Sequence, residues 1–576
     1  MKSEPTRARS LRRQLTATFY RKNKATFFVT AGAMLLLGGA LLAVAWILQQ
    51  IIDIASGDSV APLVRMCWLC LGVLVSVTTI YVVQCYTYPA FLRRAMKQYK
   101  EYAFTELTKK SISTFSDENT SRYISALTND AVSIETNYLA KIFTLLTKCV
   151  TFVGGLVMML LYSPLLTGFA LLLSLVPLAV SVLCGNRLAR METEVSRQNE
   201  SFVAMTKDLL SGFSVVKSFK AEAEVVARFC RRNEELEETK GRRRRMEEVI
   251  TMLGTGAGIV AQLGVFLFGA YLAVTKQGVT PGVVIVFLPL RSFVVDPIGS
   301  VPPILANRCA AVALIDKLAD AVGKNVRESG EQMDPVLRDG ITIDHLTYGY
   351  HESAPVLNDV SVRFEAGKSY AIVGTSGSGK STLVNLLMGS SNDYQGSIRF
   401  DQRELRTIAA ESLYGLVSVV QQNVFIFDDT IRNNITMFRH FDEKLVQQAT
   451  EKAGLTPLLA ERGEDYICGE YGSGLSGGER QRISIARCLL RQTPVLLIDE
   501  ATAALDAATA YSVSAAILAI EGLTRIVVTH RLEEPLLRKY DEILVLKNGE
   551  ICERGSFDAL MARREQFYSL FNVANG

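Results

Sequence analysis

The chain has 576 residues, more than one ordinary domain and enough for about two to four. Its formal net charge of +4 is not the global basicity that marks a nucleic-acid-binding protein, so no nucleic-acid partner is expected. Hydrophobic residues make up 49% of the chain, high for a soluble protein, and the excess lies in runs that all precede about residue 306.

The N-terminus carries Lys2, Arg7, Arg9, Arg12, Arg13, Arg21, Lys22 and Lys24, with Leu11, Leu15 and Phe19 spaced at i, i+4 and i+8 among them. That spacing predicts an amphipathic helix within residues 1–26, lying on the inner membrane surface. Six apolar segments follow, at about 27–52, 63–88, 142–162, 164–185, 253–274 and 283–304. Each is close to the ~20 residues a helix needs to cross a ~30 Å hydrocarbon core. Ala43-Val44-Ala45 resembles a signal-peptide cleavage site, but the apolar run continues past it to Ile52, as a membrane span would. Ser163-Pro164 interrupts the long run 142–185 and predicts a tight turn between two antiparallel spans.

Lys and Arg are dense in the stretches 89–141 and 186–248, whereas the connections at 53–62, 163–164 and 275–281 contain only Lys276 between them. The positive-inside rule then places the N-terminus, both long stretches and the C-terminal half in the cytosol, in a multi-pass protein of the cytoplasmic membrane. The long stretches have helical periodicity and few Gly or Pro, which predicts spans that continue into the cytosol and fold back. Arg242 to Arg245 reads either as a lipid-touching basic run or as a solvated helix face. The ten cysteines (67, 70, 85, 149, 184, 230, 309, 468, 488, 552) read as free thiols; Cys67 and Cys70 form a CxxC without the second pair that a zinc site would need.

Beyond residue 316 the pattern changes: a linker over 317–340, then short β-rich runs alternating with helical ones over 341–576. The fold class expected is therefore an all-α polytopic membrane domain over 27–316 followed by an α/β phosphate-loop domain. Within it the strand-like Ser369–Val373 leads into Gly374, Thr375, Ser376, Gly377, Ser378, Gly379, Lys380, Ser381 and Thr382, then an apolar helix. This is the G-x-x-x-x-G-K-S/T loop in its strand–loop–helix context, where backbone N–H groups and a helix N-terminus receive phosphate oxygens. Lys380 is placed to reach the β- and γ-phosphates of ATP, and the Ser381 hydroxyl to ligate Mg2+. A second apolar strand, Pro494–Ile498, ends in Asp499 and Glu500, placed to support the Mg2+ shell and to polarise the attacking water.

Leu475, Ser476, Gly477, Gly478 and Glu479, followed by RQRISIAR over 480–487, resemble the signature of ATP-binding-cassette ATPases, and the resemblance to exporter-type half-transporters spans nearly the whole chain. It implies that Tyr350 stacks on adenine, that Gln422 senses Mg2+ and contacts the membrane domain, that Asp506 lies at the seam of the ATPase dimer, and that His530 contacts the γ-phosphate. His345, His351 and His440 read as surface or packing residues. The segment at Gly469-Glu470 resembles a coupling segment, and residues 113–130 and 208–222 resemble loops that dock onto the ATPase. Two positions depart from the usual pattern, Glu479 where Gln is also common and Gln421 where many relatives have Pro; neither removes a group that catalysis needs.

In such a family ATP is held between the phosphate loop of one ATPase domain and the signature of another. One of each per chain implies an obligate dimer, with a second copy or with a different half-transporter. Alternating access driven by ATP is the implied cycle. Export of a drug, lipid or peptide leads; import of a metal-chelating siderophore on the same fold, and a membrane-anchored regulatory ATPase without cargo, are the alternatives. Arg291 lies about ten residues past Thr280-Pro281, roughly 15 Å into the sixth segment. A cation there needs protein, water or a counter-ion. Asp296 is the counter-ion considered, and two readings stand: a substrate-cavity residue attracting an anionic group, or a bond that holds the bundle together.

Overall fold

The computed structural model describes residues 4–55, 61–110, 120–323, 330–350, 355–500 and 505–575. His351, and residues 113–119 of the first docking segment, lie outside the described residues. The chain separates into two compact units, one of Met1–Glu106 with Ser121–Lys324, the other of Leu107–Thr120 with Asn325–Gly576.

The first unit is helical. Helix α1 (Glu4–Thr18) precedes the long helices α2 (Lys24–Ala55) and α3 (Ala61–Leu107). Short helices α4 (Thr120–Leu127) and α5 (Asn129–Ile134) run through a π turn, Glu135–Leu139, into α6 (Ala140–Tyr162). Then come α7 (Pro164–Ser211), the short α8 (Phe213–Ser218), α9 (Glu222–Val274) and α10 (Pro281–Gly323). Five of these stretches are long and apolar enough to cross a membrane; in α7 the described apolar part is Pro164–Val176. At 47, 48 and 53 residues, α3, α7 and α9 run far beyond the ~20 a membrane needs, the extensions expected from helical periodicity in 89–141 and 186–248.

Ser163 adopts an extended conformation between α6 and α7 and caps α7 by accepting the Leu166 N–H at 3.2 Å, with Pro164 as the first helical residue. A proline fits there because its missing N–H would have had no partner. At the same end of the bundle Asp53 accepts the Gly282 N–H at 2.9 Å and the Thr280 hydroxyl at 2.8 Å, so the last turn of α2 caps α10. A side chain at Gly282 would meet the Gln49 carbonyl at 2.5 Å, so the two helices touch backbone to backbone there.

One sequence expectation changes and another narrows. The apolar stripe of α1 is covered by protein, with Leu11, Leu15 and Phe19 at 5%, 2% and 0% exposure, so it is spent on packing and not on a lipid surface. Phe19 stacks on Tyr99 of α3 at 5.2 Å, and Arg12 pairs with Asp316 of α10 at 3.0 Å. The Arg242–Arg245 run lies on α9, where Arg243 pairs with Glu192 of α7 and with Glu247, as a solvated helix face would.

The second unit carries two sheets. Strands β1 (Gly340–Tyr348), β2 (Leu357–Glu365), β4 (Gln395–Phe400) and β5 (Arg403–Glu404) form an antiparallel sheet in the order β2-β1-β4-β5. Strands β3 (Ser369–Gly374), β6 (Val417–Val420), β7 (Val495–Asp499), β8 (Thr524–Val528), β9 (Glu542–Lys547) and β10 (Glu550–Gly555) form the larger sheet, in the order β10-β9-β3-β8-β7-β6. All its pairings are parallel except β9 with β10. Tyr370 and Ile372 face one core while Ala371 and Val373 face the other, so β3 is buried on both sides. This is why it reads as an uninterrupted apolar run.

Candidate functional site

Strands β3, β8 and β7 lie side by side and parallel, so the segments leaving their C-terminal ends emerge at one edge of the sheet. That edge is where open parallel sheets bind ligands. Gly374 to Gly379 come after β3 and lead into helix α11 (Lys380–Leu387), Glu500 comes directly after β7, and His530 lies just beyond β8. Gly379 takes φ +101° with Val356 O and Leu357 less than 3.0 Å from where a Cβ would stand, so only glycine fits.

Lys380 is 4% exposed and donates to the carbonyls of Gly374 at 3.0 Å and Thr375 at 2.9 Å, folding its ammonium back over its own loop. Burial pushes its pKa down, and the Glu500 and Asp499 carboxylates push it up. The Ser381 hydroxyl donates to Asp499 at 3.0 Å. Burial raises the Asp499 carboxyl above its usual range, opposed by that hydrogen bond and by Lys380 and His530. Glu500 receives His530 Nε2 on one oxygen at 2.6 Å and Gln422 Nε2 on the other at 3.0 Å. Its backbone sits at φ +51°, a left-handed conformation that costs a non-glycine residue about 1–3 kcal/mol. Strain of this kind persists where the surroundings over-determine it; here the Glu500 N–H also donates to Val528 at 3.2 Å.

These residues fit a nucleotide with Mg2+. The Ser378 hydroxyl is buried without a hydrogen-bond partner, an orphan that phosphate oxygens would satisfy. Ser381 and Asp499 already stand together as two oxygen donors, the kind Mg2+ takes. Tyr350 is 63% exposed, its hydroxyl 3.4 Å from Thr382 at the start of α11 and its ring in edge contact with Tyr348 at 5.4 Å.

Other expected residues cap helices of the same unit. Ser476 caps helix α16 (Gly477–Arg491), reached after α12 (Ala410–Leu416), α13 (Ile431–Thr436), α14 (Glu443–Lys452) and α15 (Thr456–Arg462). There Ser476 Oγ accepts the Glu479 N–H at 3.2 Å while the Glu479 carboxylate accepts the Ser476 N–H at 2.6 Å. Gly477 and Gly478 are the first two residues of that helix, and its N-terminus is a ready anion site. Asp506 caps α17 (Ala507–Leu518), accepting the Thr509 N–H at 2.9 Å; hydrogen bonds from the Thr509 side chain and then its backbone hold the carboxyl below the usual range. His345 pairs with Asp359 on the surface.

Nothing in the sequence gives Arg487 an individual role, although it closes the run after the signature. Arg487 donates to the carbonyls of Asn434 at 2.5 Å and Phe425 at 2.7 Å, tying α16 to the chain just beyond Gln422. Its distance in sequence from those partners leaves no signal.

In the helical unit Arg291 and Asp296 do not pair. Arg291 is 9% exposed and donates to the Ser174 hydroxyl of α7 at 3.1 Å, while Asp296 pairs with Lys148 of α6 at 2.7 Å. Five residues of helix turn the two side chains about 140° apart, and the prolines of α10 do not undo this.

Residues 27–298 match the family model for the ABC transporter transmembrane region, and residues 357–503 the model for ABC transporter. An ATP-dependent lipid A-core flippase of Syntrophus aciditrophicus is 28% identical over 95% of this chain and 92% of its own. One from Yersinia pestis is 26% identical over 96% of both chains. The structure of a bacterial Atm1-family ABC exporter with ATP bound superposes with a TM-score of 0.82 over 97% of this chain and 99% of that one, at 23% identity. With both halves matched in tandem, the chain belongs to the ABC transporter family, a multi-pass membrane half fused to an ATP-binding half that couples ATPase activity to translocation.

Proposed function

We propose that this chain exports an amphipathic or hydrophobic compound across the cytoplasmic membrane, working as a dimer with its ATPase domain in the cytosol. The observation that carries the ATPase half is the convergence of Lys380, Ser381, Asp499, Glu500 and His530 at one sheet edge. The two flippases are named for moving lipid A-core, an amphipath, which favours export over siderophore uptake or regulation without cargo.

In this reading the loop from Gly374 to Thr382 cradles the phosphates of ATP and Tyr350 stacks on adenine. Glu500 orders and deprotonates the attacking water, and His530, released from Glu500, holds the γ-phosphate. Ser381, Asp499 and Gln422 hold Mg2+, which neutralises charge on the phosphates. Ser476 to Glu479 and Asp506 complete the site of the partner protomer, the chain having one phosphate loop and one signature to offer. ATP closes the dimer by binding the closed state better than the open one, and hydrolysis resets it.

The test is transport of fluorescent lipids and amphipathic drugs by the purified chain in proteoliposomes. ATP-dependent outward movement that Glu500→Gln abolishes is expected. ATPase activity without movement of any of them, or inward movement of a ferric siderophore, would overturn the export reading.

A further inference from the structure

The ion pair between Lys148 and Asp296 lies well within the membrane-crossing length of the helical unit. Asp296 is 15 residues past Pro281, about 22 Å along α10, and Lys148 is 14 residues before Tyr162, about 21 Å along α6. Both distances start from the same end of the bundle and stay within a ~30 Å core. The members of the pair are unequally covered: the Lys148 side chain is 21% exposed and the Asp296 side chain 70%.

The uncovered face of α10 around Asp296 is polar or small. Ser292, Asp296 and Gly299 are exposed and Ser300 is half-buried; the hydroxyls of Ser292 and Ser300 close back onto carbonyls of their own helix. The uncovered face of α3, by contrast, carries Val64, Trp68, Leu71, Leu74, Val75 and Val82. A hydrocarbon-facing surface looks like the second. An exposed carboxylate at membrane depth belongs against water or a ligand.

We propose that this face of α10, with Lys148, lines the translocation cavity, and that the Asp296 carboxylate binds the cationic head of an amphipathic substrate such as a substituted ammonium. The inference rests on the export reading and gives it a substrate class. Lys148 is the resting partner: it neutralises Asp296 in the empty cavity and yields one side of the carboxylate to an incoming cation. Arg291 takes no part, because its guanidinium is turned into the packing against Ser174. The side chain accessible to a ligand is thus the acid, which opposes the anion preference that Arg291 suggests from sequence alone.

The experiment measures equilibrium binding of tetraphenylphosphonium and of its anionic isostere tetraphenylborate to the full chain in nanodiscs, in excess of empty nanodiscs and without nucleotide. The cation should bind the native chain at least about tenfold more tightly than the anion. Asp296→Asn should weaken cation binding about tenfold, whereas Lys148→Gln, which frees the carboxylate, should strengthen it. A bridge that merely holds two helices together would move both variants in the same direction. If Asp296→Asn fails to fold, the double variant Lys148→Gln/Asp296→Asn leaves neither charge unpaired and should also lose the preference for the cation. Unchanged cation binding on loss of Asp296, equal weakening in both single variants, or a native preference for tetraphenylborate would each overturn the proposal. Binding is read without ATP, so such a result leaves the export reading standing. Cation binding without ATP-driven transport would overturn only the export reading.

Discussion

The two units handle buried charge in opposite ways. At the edge of the large sheet Lys380 is held by two carbonyls of its own loop, Asp499 by Ser381, and Glu500 by both His530 and Gln422. In the helical unit the charges at membrane depth stand singly: buried Arg291 has a neutral partner, and Lys148 pairs with the largely exposed Asp296. The difference teaches where energy is stored for work. The sheet edge holds a left-handed backbone at Glu500 and an orphaned hydroxyl at Ser378 that phosphate oxygens would satisfy. Buried unpartnered polar atoms occur in the helical unit too, on Asn23, Gln84, Tyr99 and Gln198, scattered along its sequence.

Substituting Glu500 by Gln probes the crowded edge hardest. Hydrolysis should fall by about 10²- to 10⁴-fold, because a neutral amide cannot take the proton of the attacking water, while ATP binding persists. Steady-state phosphate release together with nucleotide binding checks both halves of that statement, and a near-native rate would remove Glu500 from its role.

Lys380→Ala should act on binding itself. Losing a charge-assisted contact worth about 1.5–3 kcal/mol weakens ATP affinity by roughly 10- to 100-fold. Fluorescent nucleotide titration reads this directly, and an unchanged affinity would show that backbone amides alone hold the phosphates.

Asp53→Ala tests the helical unit where one of its charges does have several partners. Asp53 accepts the Gly282 N–H and the Thr280 and Gln49 side chains, so its loss should cost about 1–2 kcal/mol, as loss of a helix cap does. Thermal unfolding should show a lowered midpoint with basal ATPase intact below it.

The smallest effect is expected from Arg291→Met. Arg291 offsets the cost of burying its charge with a neutral hydroxyl, so replacing it by an apolar side chain of similar length should cost little stability. The unfolding midpoint should hold or rise and cation transport should persist; lost transport in a stable variant would bring Arg291 back into the cavity.

How much of the fold and the site is legible in the chain depends on the locality of each feature. Ser163-Pro164 announces a helix start because a cap and a proline act on their own few residues. The phosphate loop, the strand before Asp499 and the capping box of Ser476 and Glu479 are equally plain. The covered stripe of α1 is not, since Leu11, Leu15 and Phe19 have the same spacing whether lipid or protein covers them. Nor is the partner of Arg291: Ser174 lies 117 residues away, and nothing in an apolar run marks which hydroxyl will face a cation.

The sequence by itself therefore determined the two-part architecture and the strand–loop–helix at the phosphate loop, because these depend on hydrophobic run length, element order and short contiguous motifs. Only the tertiary structure decided which charges pair within the helical unit. It brought Lys148 to Asp296 across 148 residues and turned Arg291 away from both, because helix rotation and packing, and not distance along the chain, set which side chains share a face.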